Sequence, residues 1–273
     1  MSPHTGGGRP TRRASSPKPR DRRRAPVPKG NGGTSGTKAQ RIQREHVSDE
    51  TIEAGRYRAR RERNFELPRG VVEELRDAPD GKTAVMLERR LVNAAQAYER
   101  DRYKEALSAI KPVVDAVPDS AAARELYGLT LYRLDRWRHA AAELRRVHEM
   151  TGSFDQHPVI ADCERAMGRI DRVHELWDEL RKAGVDKAVL VEGRLVMAGA
   201  LADSGDLEGA ITLLQPAAKH RKHADVPVLR EWYALADLYE IAGDLPRARE
   251  LFARVATQAP DLLDAPERLR AIR

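Results

Sequence analysis

Apolar residues recur every three or four positions from about residue 82 to the end of the chain. This spacing places them on one face of an α-helix, and no alternating β-branched run indicates a strand. Glycine and proline interrupt the pattern at intervals of about one helix length. The sequence therefore predicts an all-α protein of short helices, with breaks at Pro118-Asp119, Gly152-Ser153, Gly184, Gly205-Asp206 and Gly243-Asp244.

The last pair of predicted helices carries a regular set of bulky and small residues. We expect the small residues Ala236 and Ala248 where the two helices cross closely, because a larger side chain would hold them apart. Bulky side chains fill the remaining space, and Pro260 ends the second helix. The set comprises Trp232, Leu235, Ala236, Tyr239, Gly243, Asp244, Leu245, Ala248, Phe252 and Pro260.

The same order of residue types occurs earlier in the chain. One second helix carries Tyr103, Ala106, Ile110, Val113 and Pro118. An offset of 34 residues leads from these to Trp137, Ala140, Leu144, Val147 and Gly152. Two further units follow with weaker patterns and longer loops. The sequence therefore predicts about five helix-turn-helix repeats.

This pattern resembles the tetratricopeptide repeat (TPR) signature W-x2-L-G-x2-Y…A-x3-F…P, with Ala236 in the place of the small glycine. The resemblance implies a TPR-like α-solenoid in which two-helix units stack on one another. We predict a repeat domain over residues 65–273, with a C-terminal capping helix at 262–272. The repeats are expected near 84–118, 119–152, 154–185, 188–223 and 226–260.

Beyond the repeat, the chain resembles a group of actinobacterial TPR proteins with a basic, low-complexity N-terminal tail and no established activity. The resemblance rests on Leu67-Pro68-Arg69-Gly70, Met150-Thr151-Gly152-Ser153, Ala161-Asp162-Cys163-Glu164-Arg165 and Gly168-Arg169. It implies an intracellular helical scaffold.

Charge is concentrated at the N-terminus. Residues 1–44 contain twelve Lys or Arg and one acid, a net charge of +11, whereas the whole chain carries +7. Few apolar residues occur there, so we predict a disordered basic tail over residues 1–63, with a possible transient helix at 48–63. The rest of the chain is slightly acidic, which argues against a basic nucleic-acid-binding fold.

Few features of the sequence indicate chemistry. The chain has a single cysteine, no long apolar span and no apolar run after the N-terminal arginines, so we expect a cytoplasmic protein. No phosphate-binding loop, metal-ligand set or isolated pair of carboxylates emerges. We therefore predict a non-enzymatic protein with no catalytic residues, no cofactor, no metal, no small-molecule substrate and no membrane association.

The first helix of each TPR unit is expected to line the concave surface of the stack, where exposed tyrosines and arginines often anchor an interface. By register we assign ten residues to this surface, which we call the first-helix face. They are Glu125, Leu129, Tyr132, Arg133, Asp162, Arg165, Arg230, Tyr233, Asp237 and Glu240. An ordinary solvated face remains the alternative interpretation.

Two functions fit this pattern. The first is a protein–protein interaction scaffold that binds another protein on the first-helix face. The alternative is a nucleic-acid- or ribosome-associated adaptor, whose tail binds RNA or DNA phosphates without sequence specificity. Solubilisation is a simpler role for the tail. The candidate phosphate-binding residues are Arg9, Arg12, Arg13, Lys18, Arg20, Arg22, Arg23, Arg24 and Lys29.

Overall fold

The computed structural model of the chain describes residues 67–77, 80–219 and 221–272. Helix α1 spans Arg69–Glu74 and continues as a 3-10 turn over Leu75–Asp77. No β-strand occurs within the described ranges. The other α-helices are α2 (Gly81–Glu99), α3 (Tyr103–Ala116), α4 (Ala121–Arg133), α5 (Trp137–Thr151), α6 (His157–Ala166), α7 (Ile170–Ala183), α8 (Lys187–Asp203), α9 (Leu207–Leu214), α10 (Val226–Ile241), α11 (Leu245–Gln258) and α12 (Ala265–Ala271). A second 3-10 turn, Gln215–Ala218, extends α9.

The helices pack as five hairpins followed by α12. Each hairpin joins a first helix to a second helix: α2 to α3, α4 to α5, α6 to α7, α8 to α9 and α10 to α11. First helices also contact one another, at α2–α4, α6–α8 and α8–α10. Helix α12 packs on α11 at the C-terminal end. The sequence also predicts where each repeat begins and ends, and those boundaries remain predictions.

The turn inside each hairpin has the same hydrogen bond. The amide of the residue just after the turn donates to the carbonyl five residues earlier, as in Arg102 to Ala97 (2.9 Å) and Asp244 to Tyr239 (2.8 Å). This bond closes a Schellman turn, which needs one residue in the left-handed region. Residues with positive φ fill that place in all five turns. They are Asp101, Asp135, Gly168, Gly205 and Gly243.

Capping side chains fix where several helices begin. Asp80 Oδ1 accepts a bond from the Thr83 amide at 2.9 Å, and Ser120 Oγ accepts one from Ala123 at 3.2 Å. Such caps satisfy amides that have no partner inside the helix. Glu74 adds a link between elements, because its Oε2 accepts from Ser120 Oγ at 2.8 Å. Helix α1 is thereby tied to the start of α4.

A close helix crossing requires glycine in the second hairpin. A Cβ atom built on Gly128 in α4 would lie 2.7 Å from Leu144 Cδ2 in α5. That distance is far inside van der Waals contact, so any larger residue would push the two helices apart. The same place in the last hairpin holds Ala236, which is fully buried beside Phe252.

The apolar core consists of two clusters. The first runs from Leu67 to Ala200 and the second from Val191 to Ile272. Helix α8 contributes to both: Val196 and Met197 pack in the first cluster, and Leu195 in the second. No helix in the described part of the chain is long and apolar enough to cross a membrane. The predicted disordered tail lies outside the described residues.

Candidate protein-binding site

The first and second helices differ in how they are buried. In the second helix α5, only Ala140, Ala141, Leu144 and Val147 are buried, so one face packs inward. In the first helix α6, every residue from His157 to Arg165 is buried. A helix that is covered on all sides must have neighbours all round it. The predicted first-helix face therefore lies in a far less exposed setting than we expected.

Ion pairs and hydrogen bonds connect successive first helices. Tyr132 in α4 donates its hydroxyl proton to Asp162 Oδ2 in α6 at 2.6 Å. Arg165 lies 3.2 Å from the other oxygen of Asp162. Its Nε is also 3.5 Å from Asp203 Oδ2, at the end of α8. These contacts link three first helices in order along the stack.

Burial makes these groups interdependent. Burial, followed by the negative charge of Asp162, raises the pKa of Tyr132 well above its ordinary value. The tyrosine thus remains protonated and able to donate. Removing one member would leave a buried charge or donor without compensation, which costs more than an exposed pair contributes.

The next pair of first helices is connected in the same way. Arg230 in α10 lies 2.6 Å from Glu192 in α8, and both side chains are almost completely buried. Arg194 bonds to Glu231 at 2.5 Å. Burial raises the pKa of Glu231, and the positive charge of Arg194 opposes that shift. Two ion pairs thus join α8 to α10.

A third polar group lies at the C-terminal end, where α12 meets α10. Arg268 donates to Asp237 and to Glu240, both at 2.5 Å. Tyr233 bonds to Asp264 through its hydroxyl group. Burial alone would lower the pKa of Arg268, but the bonds with Asp237 and Glu240 raise it above the usual value. Helix α12 therefore adds a charge that neutralises two acids of the first-helix face.

The remaining predicted residues lie in the second hairpin. Arg133 stacks over the Tyr103 ring, with its guanidinium carbon 4.5 Å from the ring centroid. Glu125 accepts a bond from Gln156 Nε2 at 2.8 Å and is partly buried. Leu129 is 7% exposed and belongs to the first apolar cluster.

These positions correct one premise of the sequence analysis. We expected exposed side chains on the first-helix face, but six of the ten are buried, and the reason is packing between helices that are distant in sequence. Glu125, Arg133, Asp237 and Glu240 keep some exposed surface. The buried residues are Leu129, Tyr132, Asp162, Arg165, Arg230 and Tyr233.

The third hairpin contains a ring cluster that the sequence analysis missed. His157 is buried against His148 and Phe154, at centroid distances of 4.5 Å and 4.4 Å. Its Nε2 lies 3.5 Å from Glu179 Oε2. Burial, with a smaller effect from His148, lowers the pKa of His157 to about 4. The spacing of these residues along the chain carries no recognisable motif that could have revealed the cluster.

Two open clefts lie elsewhere on the described surface, and neither was predicted. One, of about 540 Å³, lies between the last two hairpins. The other, of about 480 Å³, lies on the first hairpin beside Met86 and Arg90. Met86, which lines the second cleft, is an exposed apolar residue. In the described ranges, no group of three or more His, Cys, Asp and Glu side chains could hold a metal ion. The predicted phosphate-binding residues between Arg9 and Lys29 lie outside those ranges.

Comparisons with known proteins agree with this architecture. A sequence model of the tetratricopeptide repeat matches residues 89–151 and 195–262. TTC0263, a thermophilic TPR protein of Thermus thermophilus, has a crystal structure similar to this chain. That match has a TM-score of 0.54 and 20% identity, and it covers 68% of this chain and 98% of the other.

A second solved structure is less similar. YrrB, described as a TPR protein with an unusual peptide-binding site, matches with a TM-score of 0.40 and 13% identity. That match covers 65% of this chain and 88% of YrrB. No curated protein matches the sequence.

The helices, turns and matched segments together define the class of the protein. Its described part is an all-α, TPR-like stack of helix-turn-helix units, as the sequence predicts. The two segments that match the tetratricopeptide-repeat model lie one on each side of the third hairpin.

Proposed function

We propose that this chain is a non-enzymatic protein–protein interaction scaffold that binds a segment of another protein along its first-helix face. One observation carries the proposal: charged and tyrosine side chains recur on the first helices and are joined from hairpin to hairpin. Such a row presents binding groups at the interval of the repeat, on helices that are fixed relative to one another. The inference from repeat fold to function is an analogy, so the site has to be tested directly.

The accessible residues indicate what the partner would carry. Arg133 provides the one base among the four residues with exposed surface, and Glu125, Asp237 and Glu240 provide acids. Complementary charges across an interface set register and specificity more than they set affinity. We therefore expect a partner segment with Lys or Arg opposite the acids and one carboxylate opposite Arg133.

A charge-reversal pair in the second hairpin tests the assignment. The site variant is Glu125→Lys with Arg133→Glu. The matched control is Arg146→Glu with Glu149→Lys, because both control residues are exposed on the second helix α5 and the net charge is unchanged. Full-length tagged protein from its own host should lose its partner in the site variant and keep it in the control. Retention of every partner by the site variant would contradict the proposal.

The adaptor hypothesis has one specific observation in its favour, the +11 charge of residues 1–44. Phosphate binding by this segment would weaken steeply as salt increases. Retention on RNA in low salt, compared between the full chain and a chain that lacks residues 1–44, distinguishes the hypotheses. If retention does not change, the adaptor hypothesis fails and the scaffold proposal is unaffected. The cytoplasmic location and the resemblance to actinobacterial proteins remain predictions.

A further inference from the structure

The first hairpin has an open face that carries two arginines. It contains the cleft of about 480 Å³, which we call the end cleft, and every described residue that lines it belongs to α2 or α3. Met86, Arg89, Arg90 and Asn93 line it from α2, at the spacing that places them on one side of a helix. Within the described ranges, Arg89 and Arg90 form no hydrogen bond or ion pair through their side chains.

The repeat indicates what normally covers this face. Ala123 and Arg124 in α4 follow Arg89 and Arg90 by 34 residues, and they are only 0% and 6% exposed. Trp232 holds the place of Arg124 in the last hairpin and is also buried. Helices α4 and α10 each pack against the second helix that precedes them, α3 and α9. No described second helix precedes α2, so the end cleft is the place where one would lie.

We propose that the end cleft binds an acidic amphipathic helix of another protein, which takes the place of a preceding second helix. Carboxylates of this partner helix pair with Arg89 and Arg90, and its apolar side chains cover Met86. The end cleft is separate from the first-helix face, so this inference goes beyond the proposed function and does not depend on it.

The charge of the end cleft favours an acidic partner. In the second hairpin Arg124 has an acid of its own, because its Nη1 bonds to Glu143 Oε2 at 2.6 Å. Ala109 holds the place of Glu143 in the first hairpin, so Arg90 lacks the acid that its counterpart has. A carboxylate on a partner helix would supply that missing charge and fix the register of binding.

The acid already present in the end cleft does not meet this need. Among the described lining residues Glu105 is the one carboxylate, and its Oε2 lies 2.8 Å from Arg102 Nη1. Glu105 is thus balanced by a different arginine. Arg89 and Arg90 remain as two adjacent positive charges, which repel one another until an anion lies between them.

Exposed apolar surface explains why the partner helix should be amphipathic. Met86 is 48% exposed, and Val85 beside it on α2 is 66% exposed. A methionine side chain is flexible and polarizable, so it adapts to the apolar side chains of a partner. The volume of the end cleft falls in the range of roughly 300–1,000 Å³ that is typical of binding pockets. A helix with acids on one side and aliphatic residues beside them matches both features.

Protection of an engineered thiol in the end cleft tests the proposal in the full-length chain. Asn93→Cys is alkylated with and without a synthetic helical peptide that carries Glu on one side and Leu on the other. A matched peptide has Lys in place of every Glu. The native Cys163 is buried and does not compete for the reagent. A second probe, Glu149→Cys on exposed α5, reports peptide binding away from the cleft, including binding to the basic tail.

We expect the acidic peptide, at ten times its dissociation constant, to slow alkylation at position 93 about tenfold, because the free fraction falls as 1/(1 + [L]/Kd). Alkylation at position 149 should not change. The Lys peptide should protect neither position.

Charge reversal locates the binding site. The site variant Arg89→Glu with Arg90→Glu should weaken protection by the acidic peptide at least about tenfold, because its carboxylates would then face like charges. The matched control, Arg138→Glu with Arg146→Glu, changes the net charge equally on exposed α5 and should leave protection unchanged. Met86→Ser should also weaken protection. Circular dichroism checks that each variant keeps its helices.

Several results would overturn the proposal. These are a lack of protection by the acidic peptide up to about 1 mM, equal protection by the Lys peptide, and equal protection in the site variant. Protection that increases with the concentration of the chain alone would identify a second copy as the occupant. Slow alkylation of the dilute chain without peptide would identify its own N-terminal residues. None of these results bears on the charge reversal at Glu125 and Arg133, which tests the first-helix face.

Discussion

The second and third hairpins have the same architecture but bury different chemistry. The second packs small and apolar residues, such as Gly128, Ala140 and Leu144, and its buried polar residues are Ser120, Arg124 and Thr130. The third buries Gln156, His157, Asp162, Glu164 and Arg165. The repeat model matches the second hairpin and stops before the third. A helical hairpin can therefore keep its place in the stack while its interior becomes polar, provided that neighbouring hairpins supply partners.

Each kind of interior has its own weakness. An apolar crossing such as Gly128 against Leu144 tolerates little change in volume. A polar interior tolerates little change in charge, because each buried ion relies on a specific partner. Glu164, for example, is bound by Arg145 and by Arg169, the latter at 3.2 Å.

The largest effect is expected from Asp162→Ala in the third hairpin. This change removes the acceptor for Tyr132 and the nearer of the two carboxylates beside the Arg165 guanidinium. Removing one partner of a buried pair should lower the free energy of unfolding by about 3–5 kcal/mol, measured by urea denaturation. The double change Asp162→Ala with Arg165→Met should recover much of that loss. Equal losses in the single and double variants would mean that the pair is not coupled.

A smaller effect is expected on lowering the pH from 7 to 5. The pKa of His157 is about 4 in the fold, below the 6.5 of a free histidine. The unfolded chain therefore binds the proton first, and stability present above pH 6.5 is lost as the pH falls toward 4. We expect a loss of about 1–2 kcal/mol in the free energy of unfolding from this residue between pH 7 and pH 5.

The variant His157→Gln separates this effect from the titration of carboxylates. Its unfolding free energy should change less between pH 7 and pH 5 than that of the unaltered chain. His157 is the first residue of α6, so the difference reports on the third hairpin. Identical pH dependence in the two proteins would show that His157 does not titrate with unfolding.

The last effect, which is similar in size to that of His157, concerns the turns. Gly168 in the third hairpin and Asp135 in the second hold the same left-handed conformation, with φ of 74° and 59°. A Cβ at Gly168 meets no atom within 4 Å, so only the backbone opposes a larger residue. Gly168→Ala should cost about 1–2 kcal/mol in thermal unfolding. Gly168→Asp should cost less, because aspartate tolerates this conformation. A larger cost for Asp would show that the two turns are not equivalent.

The sequence was sufficient for the helices and for their pairing into repeats, because those depend on local periodicity and on small residues at crossings. Ala236 and Phe252, for example, are fully buried. It was insufficient for the first-helix face. Register places Tyr233 on one side of α10, but it does not indicate that Asp264 and Arg268, about thirty residues later, bond to its hydroxyl group. The ring cluster around His157 also depends on tertiary structure, since Phe154 lies in a loop with no helical register.

Helix α8 contributes residues to both apolar clusters, and this affects how the repeat array unfolds. If the residues of one cluster unfolded locally, α8 would lose half of its apolar contacts and its ion pairs on that side. Neither half of the repeat array can therefore melt without weakening the other. We expect the hairpins on the two sides of α8 to lose hydrogen-exchange protection together rather than in separate steps. An array of this kind behaves as one cooperative unit, although each of its hairpins contacts little beyond its neighbours.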